Sequence, residues 1–175
     1  MQLYRPPAII SLVLMSLSLG CGEEASSNTP FSKASDFGTF LGDRSHHQSG
    51  WVSETQGPRE AASVVSPHGP VRVFLNETLV ASQKAENGDL NGAPHTEGSM
   101  AVKELYDGES VVGYAIYYKS TSGSAPESFV YYCEGPAGRC LQDEPETSRE
   151  SPIYGAGHDV HCHYCHGGLV FTAAP

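Results

Sequence analysis

Three residues near the end of the chain have the types and the spacing that binding of a metal cofactor requires. Cys162, Cys165 and His166 form a C-x-x-C-H sequence, the attachment motif of c-type haem. Two thiols three positions apart match the two vinyl groups on one porphyrin edge, and the imidazole that follows lies beneath the iron. With five cysteines and eight histidines in 175 residues, chance would give the pattern roughly 0.006 times. The sequence therefore predicts one covalent haem c per chain, with His166 as proximal iron ligand.

Zinc and thiol–disulfide exchange are the alternatives for the same motif. His161 and His163 bring the segment to more than four nitrogen and sulfur ligands, and a C-x-x-C pair is half of many structural zinc sites. Such a site usually takes its second pair from a distant turn, for which Cys133 and Cys140 are available. A redox C-x-x-C usually follows a strand at the start of a helix.

A second pair of cysteines encloses a short loop that is rich in glycine and proline. In an exported chain, Cys133 and Cys140 are most simply explained as a disulfide, with free thiols or metal ligands as alternatives. A loop this short adds a modest stabilisation, of order 2 kcal/mol. We expect the bond to hold the end of a hairpin.

The beginning of the chain predicts export. Arg5 precedes an apolar run over residues 8–19, which is too short for the ~20 residues that span a bilayer and is typical of a signal peptide. The sequence at 18–21, Ser-Leu-Gly-Cys, resembles a bacterial lipobox, which implies that Cys21 is lipid-modified after cleavage. A plain secretory signal with a chance cysteine is the alternative.

The expected organisation follows from these signals. We predict a lipoprotein signal peptide at 1–20, a flexible Ser/Glu/Pro-rich tether at 21–35 and one haem domain at 36–175. Gly22 rather than Asp after the cysteine resembles the outer-membrane class, so the predicted location is the periplasm, with a lipid anchor in the outer membrane. The 20 acidic and 10 basic residues argue against nucleic acid as a partner.

The elements that must position the motif are mostly strands. Phe37, Phe40 and Leu41 recur at helical spacing, and Leu79 to Ala85 is a second candidate helix. Strands are predicted at Val71–Asn76, on both sides of Asp107-Gly108, and at Ser128–Cys133, with a loop over 87–94. These elements predict an α+β fold with a mostly antiparallel sheet and one or two helices.

Several stretches in a fixed order resemble one known family. The C-terminal C-x-x-C-H and the nearby Leu169–Thr172 segment resemble the cytochrome P460 family, which includes the cytochrome c′-beta proteins. Upstream stretches at 68–76, 98–104 and 112–115 agree with it. The resemblance covers roughly residues 65–172. Members usually have a longer segment, often ending in Asp-Tyr, where this chain has only Gly167–Leu169, so the loop at the haem edge is shortened.

The resemblance implies a five-coordinate haem on a β-rich scaffold, usually in a homodimer. Members with a lysine cross-linked to the porphyrin oxidise hydroxylamine, and members without it bind nitric oxide or other gases. Lys103 is the candidate for the cross-link, because strand alternation places it on the same face as Ala101 and Leu105. Alternatively, Lys103 extends to an edge of the sheet or pairs with an acid.

Hydroxylamine oxidation also needs a proton acceptor. The candidate carboxylates are Glu104, Glu127 and Asp159, of which Asp159 could instead bond to a ligand histidine. Candidate walls of the distal pocket, which ordinary core packing would explain equally well, are Phe74, Phe129 and Tyr131. Candidate sixth ligands, each also explicable as a surface or structural residue, are His68, Met100, His95 and His158.

The predicted function is redox chemistry on hydroxylamine or a similar small nitrogen species at this haem, with a periplasmic electron acceptor. Two alternatives stay open: binding of nitric oxide or another small gas without turnover, and plain electron transfer. Whether the chain is an enzyme therefore stays open as well.

Overall fold

A short amphipathic helix opens the described part of the chain. The computed structural model describes residues 30–60, 68–85, 95–136, 139–140 and 152–157, together with Cys162 and His166. Helix α1 (Ala34–Gly42) starts where the Asp36 carboxylate accepts the backbone N–H groups of Ser32 and Lys33, at 2.9 and 3.0 Å. Phe37 and Leu41 are buried, so the predicted helical spacing is confirmed. The helix begins just before residue 36, where we expected the domain to start.

The strands form one meandering sheet. Their bounds are β1 (Trp51–Ser53), β2 (Val71–Asn76), β3 (Met100–Asp107), β4 (Ser110–Lys119), β5 (Phe129–Glu134) and β6 (Ile153–Ala156). Within the described ranges, neighbours in sequence are neighbours in the sheet, in the order β1 to β6, and every pair is antiparallel. The predicted α+β fold with a mostly antiparallel sheet is thereby confirmed.

The hairpin predicted at Asp107-Gly108 is present. Asp107 lies opposite Ser110, so Gly108 and Glu109 make the turn between β3 and β4. Gly108 has φ +59°, a left-handed conformation that costs glycine little. The long strands β3 and β4 form the centre of the sheet.

The second helix begins earlier than its apolar residues suggest. Helix α2 (Glu77–Ala85) starts directly after β2, because the Asn76 side-chain oxygen accepts the N–H of Leu79 at 3.0 Å and caps the first turn. The same oxygen accepts the N–H of Met100, and the Asn76 amide donates to the Gly98 carbonyl at 2.8 Å. One side chain therefore starts the helix and ties it to the beginning of β3.

The two edge strands β1 and β6 were missed by pattern reading. β1 has three residues and β6 has four, of which one is Gly155. Neither is long enough to show an alternating apolar pattern. Their positions depend on pairing with β2 and β5, which only the folded sheet provides.

Both faces of the sheet are covered. The face packed against α1, called the α1 face, carries Phe74, Met100, Val102, Ile116, Tyr118, Val130 and Tyr132. The opposite face, called the α2 face, carries Val71, Val73, Leu75, Ala101, Leu105, Tyr117, Phe129, Tyr131 and Cys133.

Neither helix of the described ranges has the length and the apolar character that a membrane span requires. The predicted signal peptide, Cys21 and the Leu169–Thr172 segment lie outside the described residues.

The packing of α1 predicts which aromatic residue of this helix matters most for stability. Phe37 is fully buried and stacks on Tyr132 with ring centroids 5.2 Å apart, so Phe37→Ala leaves a cavity. We expect a loss of about 3 to 4 kcal/mol in the free energy of unfolding, measured by urea denaturation. Phe40, which is only partly buried, provides the control, since Phe40→Ala should cost clearly less. Equal losses for the two variants would contradict this packing.

Candidate functional site

The two described residues of the C-x-x-C-H motif lie against the α2 face. Both have helical conformation, and Cys162 packs against the core of this face. The His166 ring is 6.4 Å from the ring of Tyr131 and 6.3 Å from that of His68, measured between centroids. Cys165 lies outside the described residues. The motif and the middle of the sheet therefore share one face.

Lys103 lies near the centre of the same face. Its neighbours across β3 are Val73 on β2 and Ala115 on β4, and it interacts electrostatically with Cys162. The pKa of Lys103 is lowered to about 8, mainly because burial penalises the ammonium and Arg59 repels it, while Glu54 and Cys162 oppose the shift. Lys103 is nevertheless only partly buried by accessible surface. It is thus an accessible amine in a protein-lined setting, and it loses its proton more readily than an ordinary lysine.

Glu54 is a functional candidate that sequence reasoning missed. Its N–H bonds to the Val73 carbonyl at 2.9 Å, and its Oε1 accepts a hydrogen bond from Arg59. Its other oxygen, Oε2, is buried and has no hydrogen-bond partner among the described residues. Glu54 follows β1, whose three residues are too few to show an alternating pattern, so nothing in the sequence indicated that Glu54 lies near Lys103. The α2 face therefore carries a carboxylate beside the candidate amine.

His68 is held by the loop that the disulfide closes. Cys133 and Cys140 are bonded, with Cα atoms 5.8 Å apart. In the enclosed loop, the Arg139 carbonyl accepts the His68 Nδ1–H at 2.9 Å, and the Arg139 guanidinium donates to the His68 carbonyl at 2.9 Å. At Gly69, which has φ +63°, a Cβ would overlap that guanidinium, so the close contact needs glycine.

The protonation state of His68 follows from this environment. Burial first, and then the positive charges of Lys103 and Arg139, lower the pKa of His68 to about 4 against the raising effect of its backbone bond. The ring is therefore neutral at pH 7, and since Nδ1 carries the proton, Nε2 is the basic nitrogen.

Glu104 lies on the opposite face from Lys103. Its Oε1 is 3.1 Å from His46 Nε2 and 2.7 Å from His47 Nε2, and its Oε2 accepts the Tyr106 hydroxyl at 2.7 Å. Burial alone would raise the pKa of Glu104, but hydrogen bonds from His46, Tyr106 and His47 together outweigh it and lower the pKa to about 2. The structure therefore brings Lys103, His68, Cys162 and His166 together, and does not bring Glu104 to them.

The remaining predicted site residues divide in the same way. Phe129 and Tyr131 belong to the α2 face, whereas Phe74 and Met100 belong to the α1 face. His95 is buried with its Nδ1 2.8 Å from the Tyr117 hydroxyl, and Glu127 is exposed in a 3-10 turn at Pro126–Ser128. His158 and Asp159 lie outside the described residues. The pair His46-His47 was visible in the sequence, but nothing in the sequence indicated that both rings meet Glu104.

Comparison with protein-family models, with curated proteins and with solved structures finds no match for this chain. The family resemblance therefore depends on the haem motif and on the order of the short stretches that accompany it.

The Glu104 network predicts a specific acid sensitivity. The folded-state pKa of about 2 lies below the ordinary value of 4.5, so the stabilisation is complete above pH 4.5 and is lost as the pH falls through 2. We expect the wild type to lose about 3 kcal/mol of unfolding free energy from this carboxylate over that interval. Glu104→Gln should be less stable at pH 7 and lack this loss, as measured by urea unfolding at stepped pH.

The exposed Glu127→Gln provides the matched control and should follow the wild type. If the unfolding free energies of the wild type and of Glu104→Gln change in parallel from neutral pH to pH 2, the network does not hold the carboxylate ionised.

Proposed function

We propose that this chain is an exported protein that carries one haem c on its α2 face, attached through Cys162 and Cys165, with His166 as the iron ligand. Its proposed activity is redox chemistry on hydroxylamine or a similar small nitrogen species, as in the cytochrome P460 family that the sequence resembles. A lipid anchor at Cys21, a periplasmic location, an electron acceptor there and a homodimer belong to the same proposal.

The observation that carries the proposal is the shared face of Cys162, His166 and Lys103. A covalently bound porphyrin needs an apolar surface beside its attachment thiol, and Cys162 packs on such a surface. Within the sheet, the residues in line with Lys103 are uncharged: Val73 on β2, Ala115 on β4 and Cys133 on β5. The carboxylate of this row, Glu54, lies beyond Val73 at the β1 side. The residues present therefore fit a flat, largely apolar cofactor.

Bound haem would supply one-electron chemistry and an iron site for a small ligand. The chain's own residues supply the surroundings. Lys103 offers an amine whose lowered pKa of about 8 favours reaction as a nucleophile, which is the property that a lysine cross-link requires. His68 presents a neutral imidazole in a fixed orientation, because Arg139 holds both its ring and its backbone.

The proton acceptor in this proposal is Glu54 rather than Glu104. Glu104 is engaged by His46, His47 and Tyr106 on the α1 face, whereas Glu54 interacts with Lys103 and has one buried oxygen without a described partner. A carboxylate in that state has a lone pair available for a proton from a bound substrate.

Haem attachment is tested by exchanging the motif cysteines in a host that matures c-type cytochromes. The wild type should retain haem after denaturation in detergent, with one haem per chain in a pyridine haemochrome assay. Cys162→Ser/Cys165→Ser should lose covalent haem, because the thioether bonds cannot form. The control is Cys133→Ser/Cys140→Ser, which should keep the haem and lose about 2 kcal/mol of stability. A wild type without covalent haem would overturn the proposal.

The role of Lys103 is tested by the spectrum of the purified protein. A cross-link to the porphyrin should red-shift the ferrous Soret band, and Lys103→Arg should restore an ordinary c-type spectrum. An ordinary spectrum in the wild type would exclude the cross-link and favour gas binding, provided that added nitric oxide binds. A six-coordinate low-spin resting spectrum would instead favour electron transfer.

The rate of hydroxylamine oxidation then distinguishes the role of Glu54 from that of Glu104. Glu54→Gln should reduce the rate by about 100-fold, the lower end of the range for loss of a general base. Glu104→Gln should leave the rate per folded haem protein close to that of the wild type.

A further inference from the structure

The α1 face holds a second group of metal-ligating side chains that the proposed haem does not use. The Nε2 atoms of His46 and His47 approach the same oxygen, Oε1 of Glu104, at 3.1 and 2.7 Å. One ligand atom from each residue lies within 4.8 Å of the other two. From this geometry we propose that His46, His47 and Glu104 bind a divalent transition-metal ion, with Zn²⁺ as the best match. The proposal does not depend on the haem.

The separations of the donor atoms are close to those of a zinc site. Zinc binds histidine nitrogen and carboxylate oxygen at about 2.0 to 2.2 Å, which places ligands of a tetrahedral ion roughly 3.3 Å apart. The observed 2.7 and 3.1 Å are shorter than this by about 0.6 and 0.2 Å, and the larger difference is at the partly exposed His47. Small side-chain movements would therefore admit the ion. Two nitrogens and one oxygen leave one position for solvent, next to His47, whose side chain is 27% exposed.

Backbone conformation brings adjacent histidines to one point. Arg44 has φ 50°, and a 3-10 turn over Ser45–His47 follows it, closed by hydrogen bonds from the His47 N–H to the Arg44 carbonyl and from the Gln48 N–H to the Ser45 carbonyl. In an extended backbone, the side chains of two successive residues would point in opposite directions. This turn directs both rings toward β3 and makes the site available before any ion arrives.

Contacts on the side away from the proposed ion restrict the movement of His46 and Glu104. The His46 ring is fully buried and lies 5.1 Å from the Phe74 ring and 5.8 Å from the Tyr114 ring. Glu104 is fixed at its other oxygen by the Tyr106 hydroxyl. The Tyr106 hydrogen bond is the kind of outer contact that orients a metal ligand, and loss of such a contact typically costs 10- to 100-fold in affinity. The rings of Phe74 and Tyr114 restrict the His46 ring by packing alone.

Protons occupy the site when the ion is absent. Each Nε2–H donates to the carboxylate, so an incoming cation replaces these hydrogens while each ring keeps one proton, which moves to Nδ1. Two neutral imidazoles and one carboxylate then surround the dication, and only the metal–ligand bonds and these proton shifts are involved. The buried Nδ1 of His46 has no hydrogen-bond partner among the described residues, so its proton enters an unpartnered position.

Two arginines oppose the cation and offer a sharp test. The Arg44 guanidinium is 3.5 Å from His47 Nε2 but is exposed, so it can turn into solvent. Arg72 lies beside Glu104 across β2 and β3 and is held by Ser53 and the Thr55 carbonyl. Since like charge disfavours metal binding, Arg44→Gln should tighten it severalfold. A cation bound far from Arg44 would not respond in that way, because the repulsion falls with distance.

The test is calorimetric titration of Zn²⁺ into the purified, chelator-treated full chain near pH 7.5, with thermal unfolding as a second measurement. The wild type should bind one Zn²⁺ that survives Cys162→Ser/Cys165→Ser, which excludes the thiols as its ligands, and the ion should raise the unfolding temperature. His47→Gln changes a partly exposed residue, and we expect it to weaken binding at least about tenfold. His95→Gln, at a buried histidine bonded to Tyr117, should leave binding unchanged.

Absence of Zn²⁺ binding in the wild type would overturn the proposal, as would binding that His47→Gln leaves intact. Binding that disappears in the Cys162/Cys165 variant would also overturn it and would locate the ion at the C-x-x-C-H motif. Loss of haem in that variant, without loss of this Zn²⁺ site, would support both proposals separately.

Discussion

The alternation of side chains along β3 is the constraint on which the rest of the structure depends. Lys103 and Glu104 are neighbours in sequence, and a strand sends successive side chains to opposite faces. Both are charged groups in the middle of a sheet that is covered on each side. Each face must therefore provide partners for one of them, and the chain does so with different chemistry on the two sides.

On the α1 face the carboxylate is satisfied by donors. Tyr106 comes from the same strand, and the two histidines come from a turn that α1 and the left-handed Arg44 position. The result is an ionised group with a pKa of about 2 in a buried setting, which is stable only while every donor stays in place. On the α2 face, the lysine keeps some accessible surface, and burial lowers its pKa to about 8, so its amine is a better nucleophile than that of an ordinary lysine.

The disulfide loop contributes to the α2 face through its contact with His68, which lies outside the loop. Arg139 lies next to Cys140 and grips His68 at both its ring and its carbonyl, across 71 positions of sequence. A short cross-link that adds little chain entropy thus fixes the orientation of an imidazole beside His166. The disulfide therefore positions His68 and also stabilises the end of the hairpin.

Local patterns were sufficient for the helices and the long strands, because periodic burial and turn residues such as Gly108 act over a few positions. The C-x-x-C-H motif of Cys162, Cys165 and His166 was also visible, since three residues at fixed spacing define it, and the haem attachment that it indicates stays a prediction. Three features could not be predicted from the sequence. They are the contact of His46 and His47 with Glu104, the approach of Glu54 to Lys103, and the edge strands β1 and β6. Each depends on pairing or packing between segments far apart in sequence. Sequence by itself determined the fold class and the motif because both are encoded in spacing. Only the tertiary structure decided which charged groups share a face, because that depends on the register in which six strands pair.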